Sequence, residues 1–451
     1  MGEFSVRGQQ AVVVGGARSG ASAARLLVER GANVTLTDLR ATIDAADVLT
    51  GAGVRLALGS HPTDLFTSAD LIVVSPGVPH SQPAIVAARE RGVPVIGEVE
   101  LACRWLRGRV IAITGTKGKS TTTALTGRIL EHAGRPVFVG GNIGTPLSGQ
   151  VDQSTPDSIH VVEVSSFQLE TVDTFHPWIA ALLNVTADHL DRHASYQEYA
   201  DTKARIFARQ TGQDWAVVNA DDPQTLELAR RGRARLRRFA MRDGAAADVT
   251  VADGCVVERG ANGDTPLVRT SEVRLMGPHL MADVLAAAAI TRLAGAEPAD
   301  ISAAVSAFHG LEHAMEWVDE IDGVRYVNDS KATNIDAARQ AIETFGADLV
   351  VVMGGRFKGG DFADLRESLV ARRATVVAIG EARPLIREAL GRAVAVIEAN
   401  SLAEAVGAAR LAGKRGGTVL LAPACASFDM FVDYAARGRA FKAEVARLRG
   451  L

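Results

Sequence analysis

The chain has 451 residues, 47% of them hydrophobic and 22% charged, with 49 Lys and Arg against 52 Asp and Glu for a net charge of −3. That is the make-up of a folded globular protein of roughly three domains at about 150 residues each, and it excludes a mainly disordered chain. The charge balance lacks the basic excess of a nucleic-acid or membrane-surface binder, and the three scattered cysteines, Cys103, Cys255 and Cys425, form neither a CxxC zinc pair nor a disulfide framework.

The N-terminal stretch MGEFSVRGQQ has no apolar signal core, and no apolar run approaches the ~18 residues of a membrane span. A soluble, cytoplasmic protein is expected, with neither nucleic acid nor membrane as partner. Apolar Ala11–Val14 leads into GGARSG, a helical stretch to Arg30 and a second strand ending at Asp38. This is a Rossmann-like β–turn–α–β unit. Further strands at Leu71–Val74, before SPGVP, and Val93–Gly97 complete a first domain, 1–107. A second unit starts with VIAIT at Val110, then GTKGKSTTT and a helix to about Ala133. Strands at Ile159–Val164, Ile179–Leu183 and Trp215–Val218 extend it into a central domain, 108–311, with a parallel sheet. The run RRGRARLRR, Arg230 to Arg238, reads as a solvated helix end and loop, since no aromatic residue interleaves it. From 312 to 451, strands at Val324–Val327, Leu349–Met353, Val376–Ile379, Val394–Ile397 and Thr418–Leu421 alternate with helices, the last from Tyr434 to Arg449. The fold class is α/β: a Rossmann-like N-terminal domain, a central P-loop-type ATPase domain and a Rossmann-like C-terminal domain.

The sharpest chemical signal is Gly115-Thr116-Lys117-Gly118-Lys119-Ser120-Thr121, between a strand and a helix. Such a loop turns backbone N–H groups toward a phosphate, and the helix N-terminus adds partial positive charge. Lys119 would reach the β- and γ-phosphates and Ser120 would ligand magnesium. Ile113 stands where the strict GxxxxGK[ST] pattern has its first glycine, and a Gly-rich packing turn is the plainer alternative. Glu163, ending a strand, suits a divalent cation, although strand-end glutamates are commonly solvated or capping. Asp188 to His193, DHLDRH, gathers carboxylates and imidazoles fit for a metal and phosphate shell; a polar loop is the alternative. Nothing local separates Lys203 from a surface lysine. GGARSG has Ala17 at the second glycine of GxGxxG, which weakens a dinucleotide reading and leaves another nucleotide or a packing turn. In the third domain NDSKATN, GGRFKGG and PACASFD all follow strands, where open α/β sheets place ligands, and their lysines and hydroxyls suit a carboxylate. Cys425 reads as a buried structural thiol without a paired base.

The set GTKGKSTTT, EVSSFQLE, NVTADHLDRH, NADDP, NDSKATN and SPACASFD, in order over all three domains, resembles the bacterial Mur ligases, and among them those that add D-glutamate. The resemblance implies an ATP-dependent, ADP-forming acid–D-amino-acid ligase of peptidoglycan precursor synthesis. It would join D-glutamate to UDP-N-acetylmuramoyl-L-alanine through an acyl phosphate, as a monomer. It implies catalytic roles for Lys119, Asn142, Glu163, His189 and Lys203, with Lys203 carbamylated. Two magnesium sites would draw on Ser120, Glu163, His189 and Lys203. ATP would lie along Gly115 to Thr121 with Asp283, Asp329 and Lys331. The uridine nucleotide would take Ser19, Asp38, Arg40, Ser75 and Gly77, and D-glutamate Thr333, Lys358, Ser427 and Tyr434. The chain departs from the family pattern twice: His279-Leu280-Met281-Ala282-Asp283 stands for HNxxN, and His313-Ala314 for the HR of PHR. An ionised Asp283 accepts but does not donate, so weaker ATP binding is expected, or a base choice relaxed toward GTP. Two other readings stand beside this one: another Mur-type or folylpolyglutamate-type amino-acid ligase, and a non-catalytic nucleotide-binding regulator derived from one.

Overall fold

The computed structural model describes residues 4–186, 188, 192–242, 246–275 and 278–450, the side chains of 278 and 279 excepted. It divides into two compact units, 1–272 with 282–305, and 273–281 with 306–451. Each is described by itself.

In the first unit, Gln10–Val14 is an apolar run buried along nearly its whole length, as a parallel strand covered on both faces must be. It lies between Asn33–Asp38 and Leu71–Val74 in an all-parallel five-stranded sheet whose edges are Arg55–Leu58 and Val95–Gly97. The strand order reverses beside Gln10–Val14, so loops 15–17 and 75–79 open at the crevice where such sheets take ligands. The short helix Glu98–Cys103 leads into a nine-stranded sheet. There Arg109–Thr114 pairs in parallel with Ile159–Glu163 on one side and Ile179–Leu182 on the other. The loops after all three strands therefore meet at one sheet edge. A single hydrophobic core runs through both sheets, from Val13 and Leu27 through Val99 and Leu101 to Val162 and Leu182. Each such buried aliphatic side chain contributes roughly 1.5–3 kcal/mol.

The far side of this sheet departs from the sequence reading. Arg235–Ala240 is a strand, parallel to Trp215–Asn219, rather than a solvated loop. Its arginines are paired: Arg237 with Glu258, Arg238 with Asp248, and Arg235 over the Trp215 ring at 5.5 Å. Beyond it, Val249–Ala252, Cys255–Glu258 and Thr265–Arg269 form an antiparallel ribbon. Asp253 (φ 47°) and Gly254 (φ 72°) make its first turn, with the left-handed pair that a two-residue hairpin favours.

In the second unit the sheet order is Glu316–Ile321, Val324–Asn328, Thr418–Leu421, Leu349–Gly354, Thr375–Ile379, Ala395–Glu398, with only the first pair antiparallel. Three central neighbours end at Asn328, Leu421 and Gly354. NDSKATN, PACASFD and GGRFKGG thus lie side by side. Apolar layers cover both faces. No described helix is long and apolar enough to cross a membrane.

Candidate active site

The loop after Arg109–Thr114 is held by the side chain of Asn184. Thr116 and Lys117 both donate their backbone N–H to Oδ1 of Asn184, at 3.0 and 2.9 Å, and Nδ2 of Asn184 donates to the Lys117 carbonyl at 3.0 Å. Gly118 (φ 82°) is left-handed and precedes the helix Lys119–His132, whose N-terminus no side chain caps. Its first-turn N–H groups, with Ser120 and Thr121 half-buried among them, suit an anion. Lys119 folds back, its Nζ donating to the carbonyls of Gly115 (3.0 Å) and Thr116 (2.9 Å).

Glu163 ends the neighbouring strand and is 1% exposed. Its Oε1 accepts from Nδ2 of Asn142 at 2.8 Å, while Oε2 is buried with no hydrogen-bond partner among the described residues. A buried carboxylate oxygen without a partner is costly unless a cation or donor meets it, so this donor fits a divalent metal. Lys203 is also brought here from the helix Tyr196–Ala204, and it is 1% exposed. Its Nζ donates to the Gly115 carbonyl at 2.8 Å and sits 4.6 Å from the Tyr199 ring centroid, and the Tyr199 hydroxyl meets Oγ1 of Thr116 at 3.1 Å. Burial, then the Lys119 charge, lowers the Lys203 amine from 10.5 to about 7, against an opposing pull from Asp188 and Glu163. The surface-lysine alternative is therefore overturned. His189 lies outside the described residues. Among those described, no group of three or more His, Cys, Asp or Glu side chains is arranged to hold a metal.

Asp283 is brought against the phosphate loop: a Cβ added to Gly118 would collide with its carboxyl group. It is 4% exposed, and burial raises its pKa well above the usual range. The Thr122 hydroxyl favours the charged form, yet neither that hydroxyl nor Oδ2 of Asp283 completes a hydrogen bond of normal geometry among the described residues. Burial thus works against the ionised state expected from sequence, in which the carboxylate only accepts.

At the first sheet, Asp38 is saturated. Oδ1 accepts from the Arg40 backbone N–H (2.9 Å) and Nε (3.0 Å), and Oδ2 from the Gly16 N–H (2.7 Å) and Arg40 NH2 (2.8 Å). The Arg40 guanidinium holds the carboxyl well below the usual carboxylate range. Asp38 thus anchors the GGARSG turn, and a ribose hydroxyl would have to displace Arg40, which is more than half exposed. Ser75 Oγ donates to the Gly15 carbonyl at 3.1 Å; Gly77 is exposed and Ser19 half-buried beside this crevice. Arg18 reaches the Gly144 carbonyl, joining this turn to the loop that carries Asn142.

The second unit gathers its own set. Lys358 Nζ donates to Thr333 Oγ1 at 3.2 Å. Ser427, 2% exposed, follows Ala426, which pairs with Arg356 of the neighbouring loop. Tyr434 is 42% exposed, its ring 6.3 Å from that of His313. Asp329 accepts from the Met315 N–H at 3.2 Å, and burial lifts it to about 7 against the pull of that bond and of Lys331, which is exposed. His313 (φ 66°) and Met315 (φ 49°) flank Ala314 in left-handed backbone, a strain that packed structure must hold in place. Cys425 is fully buried and pushed up to about 12 by that burial, as a structural thiol is.

Models of the Mur ligase MurD-like N-terminal domain, the Mur ligase middle domain and the Mur ligase glutamate ligase domain match residues 9–97, 113–291 and 313–425. The chain belongs to the Mur ligase family. Among its relatives, the UDP-N-acetylmuramoylalanine–D-glutamate ligase of Acidobacterium capsulatum is 45% identical over 99% of this chain and 98% of that protein. The protein of the same name from Koribacter versatilis is 41% identical over 99% of each. Among solved structures, the UDP-N-acetylmuramate–alanine ligase MurC of Thermotoga maritima covers 98% of this chain and 99% of its own, at 20% identity and a TM-score of 0.57. The MurF ligase of Thermotoga maritima in complex with ADP covers 98% and 96%, at 17% identity and 0.57. These two likenesses show the fold.

In this Mur ligase two residues matter that sequence reasoning passed over. Asn184 cages the phosphate loop; its position at a strand end was the available signal. Arg437 is 1% exposed and joins all three strand-end loops of the second unit. Its Nε donates to Ser330 Oγ (2.9 Å), NH2 to the Ser330 carbonyl (2.9 Å), and NH1 to the carbonyls of Cys425 (3.1 Å) and Gly354 (3.5 Å). Nothing local in ARGRAF marks it.

Proposed function

We propose that this Mur ligase adds D-glutamate to UDP-N-acetylmuramoyl-L-alanine, with ATP cleaved to ADP and phosphate, in peptidoglycan precursor synthesis. Carrying this reading are full-length relatives of 41–45% identity that bear the D-glutamate ligase name. A carboxylate is a poor electrophile until it holds a leaving group. Its oxygen attacks the γ-phosphorus of ATP, the bond to the β–γ bridging oxygen breaks and ADP leaves; the amine of D-glutamate then attacks the acyl phosphate carbon, phosphate leaves and the amine proton goes to solvent or a base. Such transfers need positioning and charge neutralisation more than covalent help.

The chain's residues take these roles. Gly115 to Thr121 cradle the phosphates, with Lys119 leaving its loop carbonyls for the β- and γ-oxygens. Asn142, held by Glu163, faces the reacting carboxylate. Ser120, Glu163, His189 and Lys203 would hold magnesium at two sites; when bound, it neutralises the phosphate oxygens. Lys203 is suited to carbamylation because its lowered pKa leaves much of the amine neutral near pH 7. That amine adds to carbon dioxide, releases a proton and becomes an oxygen-bearing anion. Ser19, Asp38 with Arg40, Ser75 and Gly77 would bind the uridine nucleotide. Asp329 and Lys331 would serve the ATP side and Asp283 would brace the phosphate loop. Thr333, Lys358, Ser427 and Tyr434 would bind D-glutamate.

Leu280, Asp283 and Ala314, standing where the family pattern has Asn, Asn and Arg, favour a second reading, a nucleotide-binding protein that no longer ligates. Phosphate release separates the two. Release that requires UDP-N-acetylmuramoyl-L-alanine and D-glutamate together supports the ligase, and ATP binding without such release supports the second reading.

A further inference from the structure

Arg192 is the centre of a polar cluster that the roles above leave unused. Its side chain is 18% exposed, and its guanidinium carbon lies 4.2 Å from the Phe167 ring centroid. NH1 donates to the Pro76 carbonyl at 3.1 Å, and NH2 to the Val78 carbonyl at 3.2 Å and to Oε2 of Glu170 at 3.3 Å. The same Glu170 oxygen is 3.1 Å from Nε2 of His80, in the same loop as Pro76 and Val78. Burial alone would raise the Glu170 carboxyl, but the His80 hydrogen bond and the Arg192 charge overcome this and hold it below its usual value. One planar fork thus grips two carbonyls of loop 75–79 and one carboxylate, which a lysine ammonium cannot match.

The contacts continue toward the phosphate loop. His193, 2% exposed, follows Arg192; its Nε2 lies 3.2 Å from Ser166 Oγ and its ring 5.3 Å, edge-on, from Tyr199. Tyr199 meets Thr116 at 3.1 Å. A packed, hydrogen-bonded path therefore joins the loop of Ser75 and Gly77 to the loop of Lys119, all inside one unit.

We propose that Arg192 is a positioning residue that couples the nucleotide-sugar loop to the phosphate loop, so that each ligand binds more tightly when the other is present. This rests on the proposed assignment of those two loops to the UDP-linked acceptor and to ATP. Linkage makes the effect reciprocal, and a path of contacts becomes evidence only when coupling is measured.

The test is titration calorimetry of UDP-N-acetylmuramoyl-L-alanine into the full chain, with and without magnesium and a non-hydrolysable ATP analogue. In the parent, the analogue should tighten acceptor binding at least ~5-fold, the lower end of typical coupling. In Arg192→Gln the factor should fall toward one, with the analogue's own affinity, measured alone, within about twofold of the parent's. Arg192→Lys should give an intermediate factor and keeps the test usable should the Gln variant not fold. Undiminished coupling in a folded variant overturns the proposal. So does a parent that binds the acceptor with no coupling, although the loop assignments then stand. A parent that does not bind the acceptor removes the assignment itself and this inference with it.

Discussion

Lys203 offers a prediction in which stability and activity move in opposite directions. The side chain is 1% exposed, and its amine is lowered from 10.5 to about 7. A drop of that size corresponds to roughly 5 kcal/mol of cost in burying the ammonium, an upper bound. Against it stand one hydrogen bond, to the Gly115 carbonyl at 2.8 Å, worth about 1 kcal/mol net, and the Tyr199 ring at 4.6 Å, worth about 0.5–2 kcal/mol; that carbonyl keeps its bond from Lys119. Methionine has a similar volume and no charge to desolvate. Lys203→Met should therefore be inactive yet more stable than the parent in carbon-dioxide-depleted, ligand-free buffer, by roughly 2–4 kcal/mol near pH 6.5. The pH dependence fixes the sign. Because the folded pKa lies below the unfolded one, the unfolded chain holds more protons between pH 7 and 10.5, and the parent gains stability across that window. The advantage of the variant should be full below pH 7 and shrink as pH rises toward 10.5. Thermal midpoints of both proteins at pH 6.5 and 9.5 measure it. A variant less stable than the parent at pH 6.5, or a gap that widens with pH, would refute the argument.

Lys119→Ala should lower turnover at least ~100-fold, the usual cost of losing a preorganised electrostatic contact; near-normal turnover would remove the phosphate loop from the mechanism. Because burial raises the Asp283 pKa and so favours its neutral form, Asp283→Asn should leave the Michaelis constant for ATP within about threefold at pH 7. That constant should climb with pH in the parent, as a negative charge forms behind the phosphate loop, and not in the variant; parallel pH profiles would sink this. Arg437→Met should strip donors from three buried carbonyls and one hydroxyl, costing several kcal/mol, and raise the constant for D-glutamate at least ~10-fold with that for ATP little changed. Equal rises in both would mark a general folding defect.

Much of the candidate site is legible in the sequence because its signals are local. A strand, a glycine loop and a helix in succession place Lys119 and Ser120, and the three strand-end loops of the second unit carry their lysines and hydroxyls in plain view. What stays hidden depends on long-range contacts. Lys203 looks like any helix-surface lysine until Tyr199 and Gly115 bury it. Asp283 looks like a base-reading group until packing buries it against Gly118. Arg437 is marked only by three loops distant in sequence. The arginine run from 230 to 238 misleads only in its second half: Arg230 does end a helix, but pairing with Glu258 and Asp248 makes 235–238 part of a partly buried strand. The Asp253-Gly254 turn was readable, since an Asp-Gly pair between short apolar runs signals a hairpin.

The central claim is the identity of the amino acid added, and a competition panel tests it most directly. ATP, magnesium and UDP-N-acetylmuramoyl-L-alanine are supplied with D-glutamate, L-glutamate, L-alanine, L-lysine or meso-diaminopimelate, and the product mass and phosphate released are read for each. The account predicts ligation with D-glutamate at least ~100-fold faster than with any other, since Lys358, Thr333 and the buried Ser427 hydroxyl would be left without their partners by an amino acid of another hand or charge. Incorporation of L-glutamate or L-lysine at a comparable rate would contradict it.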